Sequence, residues 1–287
     1  MRFFHDPGKT DTMATIRILS LLLAISLIPA CSLLPKAAAD KPENWSAAKF
    51  YAEASKAMKD GDYEKAIEYY EKLEARYPFG RYATQSQLDV AYVYYKYDEP
   101  DSAIAALDRF IKLHPRNPHV DYAYYLKGIV NFNRSLGFIE RFMPTDISQR
   151  DAGAAMDSFD DFSELVRKFP DSKYAEDARK RLIYLRNNLA RHEIHVARYY
   201  LDRGAYVAAA NRCVYVVENY QRTPAVRDAL KIMIEAYDKL GLDELSADAK
   251  RVLALNEAKG SFDYLKGDGH DKPLGEKVWE FLELDKN

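Results

Sequence analysis

Cysteine is almost missing from this chain: Cys31 and Cys213 are the only two in 287 residues. Two thiols cannot build a disulfide framework or a four-cysteine zinc site. Glycine and proline are sparse at 12 each, which excludes a collagen-like or linker-dominated chain. Neither sign of charge is in excess: 42 Lys and Arg against 44 Asp and Glu leave a net charge of −2. A nucleic-acid protein normally carries a basic surplus, so no nucleic-acid partner is expected. No apolar run is long enough for a membrane-spanning helix of ~20 residues. The longest, Ile18 to Ile28, has eleven.

Catalytic signatures are also lacking. There is no phosphate-cradling Gly-rich loop; Gly267-Asp-Gly-His lacks the preceding strand and the Lys-Ser/Thr ending. There is no Gly-x-Ser-x-Gly nucleophile elbow. His192-Glu-Ile-His195 spaces its imidazoles by three, whereas the helical metalloprotease pattern needs four. A solvated helix face is the expected reading, with no metal and no cofactor. Cys213 is expected to be a small buried hydrophobe. The chain reads as a non-enzyme.

What is present is a core-forming composition, 48% hydrophobic and 30% charged, with 22 tyrosines. Tyrosine joins an apolar ring to a polar tip, which suits both helix packing and contact surfaces. Residues 1–30 read as a secretory signal. Arg17 precedes the apolar run and Pro29-Ala30-Cys31 closes it. Asp6 and Asp11 sit badly in a positive n-region, which makes Met13 an alternative start. Ile28-Pro29-Ala30-Cys31 resembles the lipobox of bacterial lipoproteins, in which the cysteine is acylated and becomes the mature N-terminus. Ser32 after it implies the outer membrane. An ordinary cleaved signal with an incidental cysteine is the alternative. Loss of the leader would take the net charge from −2 to −3. Residues 31–43 then form the lipidated end and a short tether.

The rest repeats itself. Gly61-Asp-Tyr-Glu-Lys-Ala-Ile, Glu99-Pro-Asp-Ser-Ala-Ile and Gly204-Ala-Tyr-Val-Ala-Ala-Ala each read as a turn that opens a helix. Helices are expected to end near Pro78, Pro115, Pro170 and Pro224, at intervals of 37, 55 and 54 residues. Small residues recur twelve apart, as Ala54 with Ala66, Ala91 with Ala103, and Ala197 with Ala209. This spacing resembles the tetratricopeptide repeat, a helix–turn–helix of ~34 residues that must stack on its neighbours to bury its apolar face. The expected fold is an all-α solenoid of about five units and about ten helices over 44–256. The units are 44–80, 81–118, 119–171, 172–224 and 225–256. The third starts with Gly128 and is interrupted at 134–150; the fifth is degenerate, with Ala236 and Ala247 eleven apart. Ser172 to Arg203 lacks proline and glycine and predicts one long helix, with Asn187-Asn188 as its weakest point. The 257–287 tail contains the short apolar segment Pro273 to Leu284.

Register counting assigns first-helix positions to a groove: Tyr51, Lys59, Tyr92, Tyr95, Lys96, Tyr122, Tyr125 and Phe132. An aromatic groove with a few cations suits an extended segment that ends in a carboxylate. Tyrosines that merely fill the inner packing are the alternative. The second half is basic, with eight Lys and Arg against four Asp and Glu between Lys173 and Arg203. Arg191, Arg198, Arg203 and Arg212 are the candidate partner-docking residues there.

A lipobox, a tether and five such units resemble the tetratricopeptide-repeat lipoproteins of the outer-membrane barrel assembly machinery, the BamD family. Asp62-Tyr-Glu-Lys-Ala, Tyr77-Pro-Phe-Gly80, Leu165-Val-Arg-Lys-Phe-Pro170 and Arg203 to Arg212 carry the resemblance. It implies a lipid-anchored protein on the periplasmic face of the outer membrane. Such a protein docks on the periplasmic domains of the barrel-forming subunit, meets accessory lipoproteins, and binds unfolded outer-membrane proteins for insertion. The rival reading is a solenoid lipoprotein that scaffolds a peptidoglycan or lipid-trafficking enzyme.

Overall fold

The computed structural model describes residues 42–140 and 152–262. The signal, Cys31, most of the tether, the 141–151 stretch and the tail from 263 lie outside the described residues. After a short 3-10 turn at Pro42–Asn44 come ten α-helices: α1 (Ala47–Lys59), α2 (Tyr63–Arg76), α3 (Arg81–Lys96), α4 (Pro100–Leu113), α5 (Val120–Glu140), α6 (Gly153–Lys168), α7 (Ala175–Asp202), α8 (Tyr206–Asn219), α9 (Ala225–Leu240) and α10 (Asp243–Ala258). No strand occurs among the described residues, and none of their helices is long and apolar enough to cross a membrane.

Local chemistry sets the helix ends. Ser46 and Asp62 accept the backbone N–H of Lys49 and Lys65, each at 3.3 Å, and so satisfy donors that a helix start leaves open. Pro100 opens α4, where its missing N–H costs nothing. The turns joining the two helices of a unit need one left-handed residue. Gly61, Gly204 and Gly241 supply it with φ of 80°, 73° and 68°, and Asp98 does so at 63°. Aspartate is one of the few side chains that tolerates that region. Tyr77, His114 and Phe169 cap α2, α4 and α6 just before Pro78, Pro115 and Pro170. Pro224 behaves differently: α8 has already stopped at Tyr220, and Pro224 caps the start of α9.

Each helix packs on the next in sequence, and α1 also meets α3, α3 meets α5, and α7 meets α9. That is the contact pattern of stacked helix pairs, and the chain is an all-α tetratricopeptide-type solenoid. Ala54, Ala66, Ala91, Ala103, Ala197, Ala209 and Ala236 are all at 0% exposure. A methyl group is as much as the crossing helices admit at these places. The third unit uses Gly128 on α5 and Ser158 on α6, whose hydroxyl donates to the Gly128 carbonyl at 2.9 Å. In the fifth unit the expected Ala247 is exposed, and buried Ser246 takes the crossing place instead. The offset shrinks from twelve to ten because α9 ends four residues after Ala236, where the first helices of the first, second and fourth units run five past their alanine, and because the turn to α10 has two residues instead of three.

The long helix is continuous through Asn187 and Asn188 and spans about 42 Å at 1.5 Å per residue. It starts at Ala175 rather than Ser172 because Ser172 is used in the preceding turn. Its hydroxyl accepts the Tyr174 N–H and donates to Asp121 at 2.7 Å. Leu185 and Leu189 pack with Phe162 and Leu165, whereas Ala190, Ile194 and Ala197 pack with Ala209, Cys213 and Val216. One helix therefore belongs to two successive core clusters and ties the halves of the solenoid together.

Candidate functional site

Tyrosines of α1, α3, α5 and the turn before α7 meet along the first helices of the early units. Tyr51 of α1 lies edge-on to Tyr70 and beside Tyr82 of α3, with ring centres 5.9 and 5.5 Å apart. Its hydroxyl donates to Asp89 at 2.8 Å, and Gln85 donates to the other oxygen of that carboxylate at 2.8 Å. Tyr92 packs near Tyr95 at 6.3 Å. On α5, Tyr122 lies 5.5 Å from Tyr174, and Tyr125 stacks on Tyr174 at 4.7 Å with a 17° tilt. The Tyr125 hydroxyl donates to Asp177 at 2.9 Å, and Arg181 binds the same carboxylate.

Burial governs the electrostatics. It is the leading cause that raises Tyr51 and Tyr125 to about 12 each, helped by the carboxylates of Asp89 and Asp177. Tyr122 is raised further, chiefly by burial and then by neighbouring Tyr92 and Tyr174. All three are protonated at neutral pH, and the Tyr51 and Tyr125 hydroxyls act as hydrogen-bond donors. Burial also pushes the Asp89 carboxyl above the usual range, against the opposing hydrogen bonds from Tyr51 and Gln85. The face can offer aromatic area and hydroxyl donors; nothing in it is an activated nucleophile.

The anticipated groove residues divide. Tyr51, Tyr92, Tyr95, Tyr122 and Tyr125 are half-buried, and the Tyr95 hydroxyl meets the Asn133 amide. Phe132 is a correction: at 1% exposure it is core, covered by Tyr184 at 5.7 Å and by the Arg181 guanidinium at 4.9 Å. Burial under the following long helix removes it from any open surface. Lys59 and Lys96 are exposed at the last turns of α1 and α3. Among the candidate docking arginines, Arg198 pairs with Asp228 at 3.4 Å and Arg212 with Glu193 at 3.1 Å. Arg203 lies over the Tyr199 ring at 4.6 Å, and Arg191 is half-buried. No cluster of His, Cys, Asp or Glu among the described residues could hold a metal ion. Cys213 is fully buried, and Cys31 lies outside the described residues.

Asp89, Tyr82, Tyr174 and Asp177 were not anticipated from the sequence. The register count passed over Asp89, which stands beside buried Leu88. The Gln85–Asp89 spacing of four was the available signal, since such pairs share a helix face. Asp177 and Arg181 carry the same spacing.

The outer membrane lipoprotein family YfiO matches residues 43–253. The outer membrane protein assembly factor BamD of Neisseria meningitidis serogroup A is 47% identical over 220 residues, covering 77% of this chain and 82% of the relative. BamD of Neisseria gonorrhoeae is 45% identical, covering 84% and 92%. BamD of Vibrio cholerae is 37% identical, covering 83% and 97%. Identity of this order over more than three quarters of the chain, with a family match over residues 43–253, means that the chain belongs to the BamD family of outer membrane lipoproteins.

Proposed function

We propose that this chain works in outer-membrane protein assembly as a non-catalytic subunit of the barrel assembly complex. Acylated at Cys31 and facing the periplasm, it receives extended segments of unfolded outer-membrane proteins on the tyrosine face. It docks through its second half on the periplasmic domains of the barrel-forming subunit and on accessory lipoproteins. The observation that carries the substrate role is the convergence of Tyr51, Tyr92, Tyr122 and Tyr125, from three successive first helices, with Tyr82 and Tyr174. Tyrosine rings give contact area at low entropic cost, because each has two side-chain torsions to fix. Lys59 and Lys96 would attract a C-terminal carboxylate by exposed, salt-screened charge.

The docking role rests on α7 and α8. Of the four candidate arginines there, Arg191 is the one not drawn into an ion pair or ring contact described above. Breaking the Arg198–Asp228 or Arg212–Glu193 pair is a cost that a partner carboxylate would have to offset. A scaffold for a peptidoglycan or lipid-trafficking enzyme would use the same solenoid without this substrate face.

Binding of a peptide that copies the last strand of an outer-membrane barrel, ending in an aromatic residue, tests the assignment. Tyr92→Ala with Tyr95→Ala should lose about 2 kcal/mol or more, the usual cost of truncating a buried interface aromatic. That is roughly thirtyfold in affinity. Arg191→Ala with Arg198→Ala should retain binding. Loss in the arginine pair alone would place the substrate surface in the second half.

A further inference from the structure

Apart from the tyrosine face, α4, α5 and α6 enclose a polar cleft of about 510 Å3. Its charges do not balance. Five aspartates line it, against Lys127 and Arg134 as the cations. Lys127 is already shared between Asp108 at 2.8 Å and Asp161 at 3.2 Å, and Arg134 faces Asp101 at 3.4 Å. Asp157 and Asp160, on adjacent turns of α6, are exposed and have no ion pair among the described residues. The cleft therefore has an acidic rim with no cation assigned to it.

The floor carries a second, independent signal. Asn131 is 3% exposed, and its amide nitrogen donates to Asp161 at 2.8 Å. Its carbonyl oxygen is buried and accepts nothing. Turning the amide over would set that oxygen against the Asp161 carboxylate, so Asp161 fixes the orientation and leaves the acceptor open. Buried acceptors without a partner are uncommon in native proteins. Burial raises the Asp161 carboxyl against the opposing influence of Asn131 and Lys127.

We infer that this cleft receives an arginine side chain of a partner protein, whose guanidinium pairs with Asp157 and Asp160 and displaces the side chains covering Asn131 to donate to its Oδ1. Guanidinium fits the three demands together. It is planar, permanently charged and carries five donors in a fixed fork, so it can serve a neutral acceptor and carboxylates at once. An ammonium group would duplicate Lys127 without the fork. A divalent cation is disfavoured because no three acidic or imidazole groups among the described residues are arranged to ligate one. The cleft shares no residue with the tyrosine face, so the inference stands independently of where the substrate binds.

The test is a titration of the mature chain with N-acetyl-arginine N-methylamide, followed by side-chain amide resonances in nitrogen–proton correlation spectra. The Asn131 amide should shift first and saturably, and the lysine analogue should bind several-fold more weakly. Asp157→Asn with Asp160→Asn changes only exposed residues and should weaken arginine binding roughly three- to tenfold, the size of two exposed ion pairs. Asn131→Leu should abolish the saturable component if the variant folds. Equal binding of the two analogues would overturn the inference. So would arginine shifts that miss Asn131, an unaffected double variant, or magnesium chloride moving the Asn131 resonance at the same concentration.

Discussion

The Phe162 ring lies so close to the backbone of Gly128 that a Cβ at residue 128 would stand 2.5 Å from its nearest ring carbon. Phe162 is fully buried, so the ring has nowhere to retreat. Alanine is the better helix former by about 1 kcal/mol, which would favour Gly128→Ala on propensity alone. Overpacking should outweigh it at about 1–3 kcal/mol. Gly128→Ala is therefore expected to lower the melting temperature by several degrees in a calorimetric scan. A rise would mean that the α5–α6 crossing opens more easily than this geometry implies.

The crossing alanines extend the same argument to the other units. Ala103 is at 0% exposure, between helices that cannot separate without disturbing Leu107 and Phe110. Ala103→Leu should cost about 1–3 kcal/mol of stability. Ala106 is buried at 4% and would be overpacked too, so the informative neighbour is exposed Ala105. Ala105→Leu should be within about 0.5 kcal/mol of wild type, as surface changes usually are. Equal urea midpoints for the two variants would contradict the repeat register.

That register was legible because the physics behind it is local and repeated. A turn and a crossing alanine recur at a fixed offset in the first, second and fourth units, and the first two also share a proline exit. Units one, two and four were readable for that reason. Ser158 and Ser246 were missed because a hydroxyl replaces the methyl, and in the fifth unit the shortened turn also shifts the offset. The tyrosine face was legible in part: the rings stand at register positions, but Asp89 and Asp177 gain their meaning only when a tyrosine from another helix reaches them. Phe132 failed for the complementary reason. Its position matches Tyr95 in the repeat, and only the packing of α7 over it makes it core.

Cys213 offers a pH-dependent check on the second core cluster. Burial pushes its thiol up to about 12 from an ordinary value of 9.0. The folded state therefore holds this proton more tightly than the unfolded state. Between about pH 9 and 12 the unfolded thiol ionises while the folded one does not, so this group's stability contribution is lost as pH rises through that window. Cys213→Ser should show a shallower loss of stability over the accessible part of the window. At neutral pH the native thiol should resist a maleimide that labels it on unfolding.

Anchoring should be separable from folding. Cys31 ends the apolar run behind Ala30, well before Ala47, where the first of the described α-helices starts. Cys31→Ser should release the chain from outer-membrane fractions with its helical circular dichroism and melting temperature unchanged. Several acyl chains give stable attachment where a single chain gives marginal binding, so the loss should be close to complete. Unchanged fractionation would remove the lipid anchor from the proposal.

Asp89 gives the tyrosine face a pH dependence that a purely aromatic groove would lack. Its carboxyl is raised by burial, while His119 exerts a weaker opposing influence from nearby. A peptide that brings a C-terminal carboxylate to this face meets a negative charge beside Tyr51 and Gln85. As the pH falls, Asp89 takes up its proton above the ordinary carboxylate range, while the peptide's own carboxylate, with a value near 3.5, is still ionised. Affinity should therefore rise as pH falls. His119 lies nearby, so His119→Gln is measured in parallel. Asp89→Asn keeps an acceptor for the Tyr51 hydroxyl while removing the charge. It should bind more tightly than wild type at pH 7.5 and lose the part of the pH dependence that survives in His119→Gln. If Asp89→Asn leaves both the affinity and the slope unchanged, the carboxylate end of the peptide does not approach the Tyr51–Asp89 pair, and Lys59 and Lys96 lose their role in recognising it.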